Sequence, residues 1–126
     1  MTLSKADILD FAQRNDPQYF HIDEEAARSG PFGRLIASGF HTLTAVWIEW
    51  IRMDVLGRDC LGGMGMEHMA WKLPVFPDDT LHGTLTVLKT HKLNNKKGIL
   101  TLGIEVSNQN DKLVMSCETA ILVRVS

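Results

Sequence analysis

The sequence has few cysteines, few prolines and almost no excess of charge of either sign. Cys60 and Cys117 are its two cysteines and lie far apart, which argues against a disulfide framework and favours a reduced, cytoplasmic chain. The formal net charge is −2, so neither nucleic acid nor an anionic membrane is expected as a partner. No secretory signal is recognised after Met1, which also favours a cytoplasmic location.

Long uninterrupted apolar runs are absent too. The most apolar segment, residues 38–56, is a poor transmembrane candidate because it contains three charged side chains, Glu49, Arg52 and Asp54. With 126 residues, 44% hydrophobic and 22% charged, the composition is typical of one globular domain, which we place at residues 1–126.

The first half of the chain has helical periodicity. Apolar spacing predicts a helix from Lys5 to Arg14 capped by Ser4. The segment from Asp23 to Arg28 predicts one or two further turns, with Asp23 as their cap. Residues 38–56 are apolar on nearly all sides, which predicts a long buried helix. The glycine-rich segment Gly57–Gly65 is predicted to be a loop.

The second half alternates with a period of two. This pattern predicts strands over residues 66–73, 80–90, 96–107 and 113–125, with asparagine-rich hairpin turns between the last three. One long helix followed by an antiparallel meander is an α+β arrangement. Because four strands form too small a sheet to cover that helix, we expect two copies to pair their sheet edges as a homodimer or higher homo-oligomer.

Two titratable side chains flank a proline after the first helix. Pro17 disfavours helical geometry at Asp16, which therefore ends the helix, and His21 follows five residues later. A carboxylate can orient water and accept its proton, while an imidazole can move a proton at the neighbouring carbon. The alternative is structural: an aspartate that caps a turn and a histidine satisfied at a helix start.

Ser38 and Gly39 stand at the start of the long helix. Unpaired N–H groups and the positive dipole end at such a position can hold the oxyanion that carbonyl chemistry develops. The alternative, compatible with the first, is that Ser38 is an N-cap and that Gly39 lets the backbone pack closely against the sheet.

Three segments together resemble the MaoC-like dehydratases, which include the (R)-specific enoyl-CoA hydratases. They are DPQYFHIDEEAA, SGPFGRLIASGFHT and LPVFPDDT, and the resemblance covers nearly the whole chain. It implies a hotdog fold, in which a curved antiparallel sheet wraps the long helix, and the period pattern agrees. It also implies that Asp16 and His21 hold the water that adds to the substrate, and that Gly39 with Ser38 binds the thioester carbonyl.

The activity that the resemblance implies is that of a hydro-lyase of fatty acid metabolism. Water would add reversibly and syn to a 2-enoyl-CoA, giving a 3-hydroxyacyl-CoA, with no metal and no cofactor besides the CoA of the substrate. Family members usually carry a strand before the first helix, and almost nothing precedes it here. Tyr19 stands where the family often has a small or cyclic residue. Four side chains are expected to line the pocket: Tyr19, Phe40, His41 and Trp47.

Two other functions use different features. Glu49 on the long helix would suit a hotdog acyl-CoA thioesterase, although an i,i+3 partnership with Arg52 explains it as well. A non-catalytic acyl-thioester-binding module would keep the Asp16 turn for structure alone. The basic stretch at residues 89–92 and 96–97 is interpreted as a solvated hairpin, with contact to the CoA phosphates as the minority interpretation.

The remaining candidates for special chemistry have ordinary interpretations. The histidines show no spacing typical of a metal site. His68, His82 and His91 are therefore predicted to lie on strand surfaces. The three tryptophans are predicted to be core or subunit-interface residues, not platforms for nucleic acid: Trp47, Trp50 and Trp71.

Overall fold

Helices occupy the first half of the chain and a sheet the second. The computed structural model describes residues 1–125. Its helices are α1 (Lys5–Asn15), α2 (Tyr19–Ile22), α3 (Glu24–Ala27) and α4 (Gly39–Arg52), followed by a 3₁₀ turn at Gly57–Asp59. Its strands are β1 (Cys60–Trp71), β2 (His82–Lys92), β3 (Lys97–Ser107) and β4 (Leu113–Arg124). The predicted α+β arrangement is confirmed.

All strand pairs are antiparallel, in the order β1-β4-β3-β2. The strands β2, β3 and β4 therefore form the predicted meander, and β1 pairs with the last of them. Both hairpin turns are built by asparagine side chains. Asn94 Oδ1 accepts hydrogen bonds from the backbone amides of Lys96 and Lys97. Asn108 Oδ1 likewise accepts hydrogen bonds from the amides of Asn110 and Lys112.

Local capping chemistry fixes the helix boundaries before the site. The Ser4 side chain accepts a hydrogen bond from the amide of Asp7 at the start of α1. The Asp23 side chain accepts one from the amide of Ala26 at the start of α3, and both caps are as predicted. Asp16 leaves the helical region, with φ −158° and ψ 69°, so α1 stops before Pro17. The one-turn helix α2, which contains His21, was not predicted.

The prediction of a loop at Gly57–Gly65 is wrong for most of its length. β1 begins at Cys60, and three glycines lie within it. Gly62 and Gly65 have φ values of +151° and +156°, which glycine tolerates without steric cost. The pairing with β4 shifts register around them, so these glycines form irregularities in an edge strand. Hydrogen bonds from β4 overcome their weak strand propensity.

The prediction that the long helix is buried on all sides is wrong for the single chain. The helix ends at Arg52, and Thr42 and Val46 are its fully buried residues. The sheet covers one side only, which leaves large apolar side chains exposed on the other, among them Ile48, Ile51 and, after the helix, Met53 and Val55. A partner copy would cover such a surface, but the single chain does not test this, and the homodimer stays a prediction.

The core lies between the concave face of the sheet and helices α1 and α4. Alternate residues of β3 and β4 point into it and are almost fully buried: Leu102, Ile104, Val106, Met115, Cys117 and Ile121. Four of these residues, Ile104, Val106, Met115 and Cys117, form one cluster with Ile8 of α1 and Val46 of α4. This packing brings the end of α1 to the start of α4. Within residues 1–125, no helix is both long and apolar enough to cross a membrane.

Candidate active site

A cavity of ≈ 320 Å³ opens where the end of α1, the helix α2 and the start of α4 meet the end of β1. The segment that enters α4 is held from two sides. The amide of Ile36 donates to the carbonyl of Phe20, and the amide of Ala37 donates to the carbonyl of Val75. The cavity wall includes Asp16, His21, Gly39, Phe40 and Trp71. Residues widely separated in sequence therefore share one wall.

Asp16 receives two hydrogen bonds from neutral side chains. Ser38 Oγ donates to Asp16 Oδ2 at 2.7 Å, and Gln18 Nε2 donates to Asp16 Oδ1 at 2.8 Å. Burial would raise the pKa of this carboxyl, but the bonds from Ser38 and Gln18 and the nearby His21 outweigh burial and lower it from its ordinary 3.8. Asp16 is therefore an ionised carboxylate in a fixed orientation at neutral pH.

His21 is held by its other ring nitrogen. Nδ1 lies 2.7 Å from the carbonyl oxygen of Ile36, and because a carbonyl only accepts, Nδ1 carries the proton. Nε2 lies 3.5 Å from Asp16 Oδ2. The ring is buried and packs edge-on against Phe20, with centroids 4.5 Å apart. The neutral imidazole thus presents an acceptor beside the carboxylate, and the imidazolium presents a donor.

At the start of α4, the Ser38 hydroxyl makes two hydrogen bonds, whereas the Gly39 amide makes none among residues 1–125. Ser38 is fully buried, and its hydroxyl accepts the amide of Phe40 at 3.2 Å while donating to Asp16. The predicted N-cap is therefore confirmed, and the hydroxyl's own proton is directed at the carboxylate. The amide of Gly39 has no acceptor among residues 1–125, and Gly39 lines the cavity. A carbonyl oxygen is the kind of group that this amide can bind.

Gly39 is required by the packing at this point. A Cβ built on Gly39 would lie 2.4 Å from both Cε2 and Nε1 of Trp71, far inside van der Waals contact. Helix α4 can therefore approach the end of β1 only with glycine here.

Comparison with known proteins identifies the relatives of this arrangement. The sequence profile of the MaoC like domain matches residues 1–110. The chain belongs to this family. It is 40% identical to the uncharacterized protein YdeM of Bacillus subtilis over 124 residues, which covers 98% of this chain and 88% of the relative.

Solved structures place this MaoC-like domain among hydratases and dehydratases. A MaoC-like dehydratase from Rhodospirillum rubrum superposes with a TM-score of 0.85 and 34% identity, covering 100% of this chain and 87% of the other. An unliganded R-hydratase from Pseudomonas aeruginosa gives a TM-score of 0.75 and 26% identity, covering 100% and 77%. The family resemblance and the expected hotdog fold are confirmed, and the family and these neighbours support a hydro-lyase in general terms.

The predicted pocket residues of this MaoC-like domain separate into two groups. Phe40 lines the cavity, but Tyr19, His41 and Trp47 lie elsewhere in the structure. Tyr19 is half exposed beside Gly30. His41 stacks on Phe11, with ring centroids 4.5 Å apart, and Trp47 packs against the core. On a helix, neighbouring residues point in different directions, so proximity to Gly39 in sequence does not place a side chain in the cavity.

Other cavity residues were missed. Gln18 and Phe20 frame the Asp16 turn, and Thr42 and Trp71 line the cavity beside Gly39. A signal for Gln18 was available, since an amide two residues after a carboxylate can bond it. Trp71 was predicted to be a core or interface residue; it is half exposed in the cavity wall, so it is not a core residue, and the single chain does not test the interface prediction. Only the strand pairing of β1 brings it there.

Two further groups of the domain lie outside the cavity. Glu49, the thioesterase candidate, is exposed, lies 4.0 Å from Arg52 and does not line the cavity. Glu67, His68 and Glu118 bring one ligand atom each to within 4.8 Å of one another. The sequence spacing did not indicate this exposed cluster, because Glu118 comes from the paired strand β4. It shares no lining residue with the cavity.

Proposed function

We propose that this chain catalyses the reversible syn addition of water to a 2-enoyl-CoA, giving an (R)-3-hydroxyacyl-CoA. The observation that carries the proposal is that Asp16, His21 and Gly39 line one cavity, with the Asp16 carboxylate 3.5 Å from Nε2 of His21 and with no acceptor bonded to the Gly39 amide among residues 1–125. These are an acceptor for the proton of water, a group that can transfer a proton, and a donor for a carbonyl oxygen. The similar R-hydratase and dehydratase structures support the same chemistry.

The hydration step uses all three groups. Water held between Asp16 and His21 attacks C3 of the enoyl thioester and gives one proton to the Asp16 carboxylate. The imidazolium of His21 delivers a proton to C2, while the Gly39 N–H stabilises the negative charge on the thioester oxygen. The proton on Asp16 then passes to His21 across the 3.5 Å between Oδ2 and Nε2, which restores the pair. Because both groups lie on one side of the substrate, hydroxyl and hydrogen add to the same face.

The hydrogen bonds to Asp16 suit this role. Ser38 and Gln18 keep the carboxylate ionised and fix the direction of its oxygen atoms. Such a carboxylate is a weak base, so the proton it receives is readily passed on to the neighbouring imidazole. The proposed chemistry therefore assigns orientation of water mainly to Asp16 and proton delivery mainly to His21.

The test is turnover of crotonyl-CoA, followed by loss of the enoyl absorbance. We expect Asp16→Asn and His21→Ala to lower kcat by about 10²- to 10⁴-fold, the range for loss of general acid–base catalysis. Asp23→Asn and His68→Ala are matched controls, because Asp23 caps α3 and His68 is exposed, both outside the cavity. Undiminished turnover in either cavity variant would refute the assignment.

The proposed enzyme is a homodimer. The exposed apolar side chains on α4 are accompanied by Met64 and Met66 on the edge strand β1, and burial of apolar surface drives association. Light scattering after size exclusion is expected to give twice the 14.1 kDa mass of the chain. A single-chain mass at micromolar concentration would contradict this part of the proposal.

The two other functions make different predictions. A thioesterase would release free thiol from acyl-CoA and lose that activity in Glu49→Ala, but Glu49 lies away from the cavity. A binding module would be stabilised by acyl-CoA without turning it over. Neither is favoured by a specific observation.

A further inference from the structure

Trp71 occupies a position that the hydration chemistry above does not use. It is the last residue of β1 and pairs with Met115 of β4, directly after a register shift between Glu67 and Ala70. Such irregularities re-aim the side chains that follow them. The Trp71 indole lies in the cavity wall and is 46% exposed.

Two contacts fix the orientation of this indole. Its ring packs edge to face against Phe40, with centroids 5.2 Å apart and planes at 67°. Its other contact is Gly39. The atoms nearest to a Cβ built on that glycine are Cε2 and Nε1, both at 2.4 Å, and Cδ2 at 2.7 Å. The face of the indole at its nitrogen-bearing five-membered ring, not the far end of its six-membered ring, therefore lies over the first residue of α4.

Two N–H donors consequently lie close together in the cavity wall. The indole Nε1–H can only donate, and among residues 1–125 no acceptor is bonded to it. The neighbouring Gly39 amide also lacks an acceptor in that part of the chain. A carbonyl oxygen has two lone pairs and can accept from both donors at once. Half exposure lets a substrate displace water from the indole edge on binding.

We infer that Trp71 Nε1–H is a second donor to the substrate's thioester carbonyl, beside the Gly39 N–H. The inference rests on the hydration proposed above. As the proton leaves water and C3 is attacked, negative charge collects on the thioester oxygen, and both hydrogen bonds strengthen. Trp71 then contributes to the rate through a hydrogen bond, and its aromatic ring contributes the fixed orientation of that donor.

The decisive variant is Trp71→Phe, which keeps an aromatic ring against Gly39 and Phe40 but removes the N–H. With crotonyl-CoA we expect kcat to fall about tenfold to a hundredfold with KM changed less than about threefold. This is below the usual loss for a fully enclosed oxyanion donor, because water can partly replace a half-exposed one. Trp50→Phe, on α4 but outside this cavity, is the matched control and should keep the wild-type kcat.

A spectroscopic measurement separates hydrogen bonding from shape. The carbonyl stretch of a bound, ¹³C=O-labelled, saturated butyryl-CoA should lie at lower frequency in the wild type and in Trp50→Phe than in Trp71→Phe. Equal kcat values and equal stretching frequencies for Trp71→Phe and the wild type would overturn the inference. That result remains distinct from failure of the proposed function, in which the wild type itself would not hydrate crotonyl-CoA.

Discussion

Replacing Ser38 by alanine removes two hydrogen bonds that meet at one fully buried hydroxyl. One is the N-cap bond from the Phe40 amide and the other is the bond to the Asp16 carboxylate. Loss of a cap costs roughly 1 kcal/mol, and loss of a bond to a charged group costs about 1.5–3 kcal/mol. Because Ser38 itself is fully buried, water cannot easily replace its hydroxyl, and we expect the free energy of unfolding to fall by about 2.5–4 kcal/mol.

Urea unfolding at neutral pH measures this loss as a lower midpoint with an unchanged m-value. Ser4→Ala is the matched control, since Ser4 caps α1 with a single exposed bond and should lose only about 1 kcal/mol. A loss in Ser38→Ala no larger than that in Ser4→Ala would refute the view that Ser38 holds the carboxylate.

The same substitution should alter the response to acid. The folded state lowers the pKa of Asp16 below its ordinary 3.8, so Asp16 contributes stability above that pH and the contribution is lost as the pH falls through the folded value. In Ser38→Ala the pKa of Asp16 rises and this contribution shrinks. The difference in free energy of unfolding between the wild type and Ser38→Ala should therefore become smaller below about pH 4. A constant difference down to about pH 2 would contradict the assigned hydrogen bond.

Two further predictions concern the start of α4. Gly39→Ala places a methyl group 2.4 Å from the indole of Trp71, and its free energy of unfolding in urea should fall by about 1–3 kcal/mol. Gly63→Ala is the control, because its methyl group meets nothing within 4 Å. Equal losses in the two variants would contradict the close packing of Gly39 on Trp71. Burial lowers the pKa of His41 from its ordinary 6.5, and Asp7 opposes this only in part, so the folded state binds fewer protons and its stability should fall as pH drops below about 6.5. His41→Phe should keep the stacking on Phe11, and its midpoint of thermal unfolding should decrease less with falling pH than that of the wild type. An equal decrease in both proteins would exclude His41 as the cause.

The parts of this molecule that depend on neighbours in sequence could be predicted from the sequence. Pro17 after Asp16 determines the end of α1, and Ser4, Asp23 and Ser38 cap the helices that follow them. The alternating residues of β3 and β4 similarly predicted the inward face of the sheet. In each case a steric restriction or a short-range hydrogen bond determines the structure.

The features that were missed depend on pairing between distant segments. β1 could not be extended back to Cys60 from a glycine-rich segment, because the bonds that hold it come from β4. Trp71 reaches Gly39 only through the same pairing. The link from Ser38 to Asp16 spans 22 residues and requires α1 and α4 to pack on one core. A local sequence pattern gives no information about contacts between segments that are this far apart in the chain.

Hydration of crotonyl-CoA in ²H₂O, with the product analysed by ¹H NMR, tests the central claim most directly. The proposed mechanism predicts (R)-3-hydroxybutyryl-CoA with one deuterium at C2 on the same face as the new hydroxyl, formed by the wild type and suppressed in Asp16→Asn and His21→Ala. An (S) product, deuterium on the opposite face, or equal formation by either variant would contradict it.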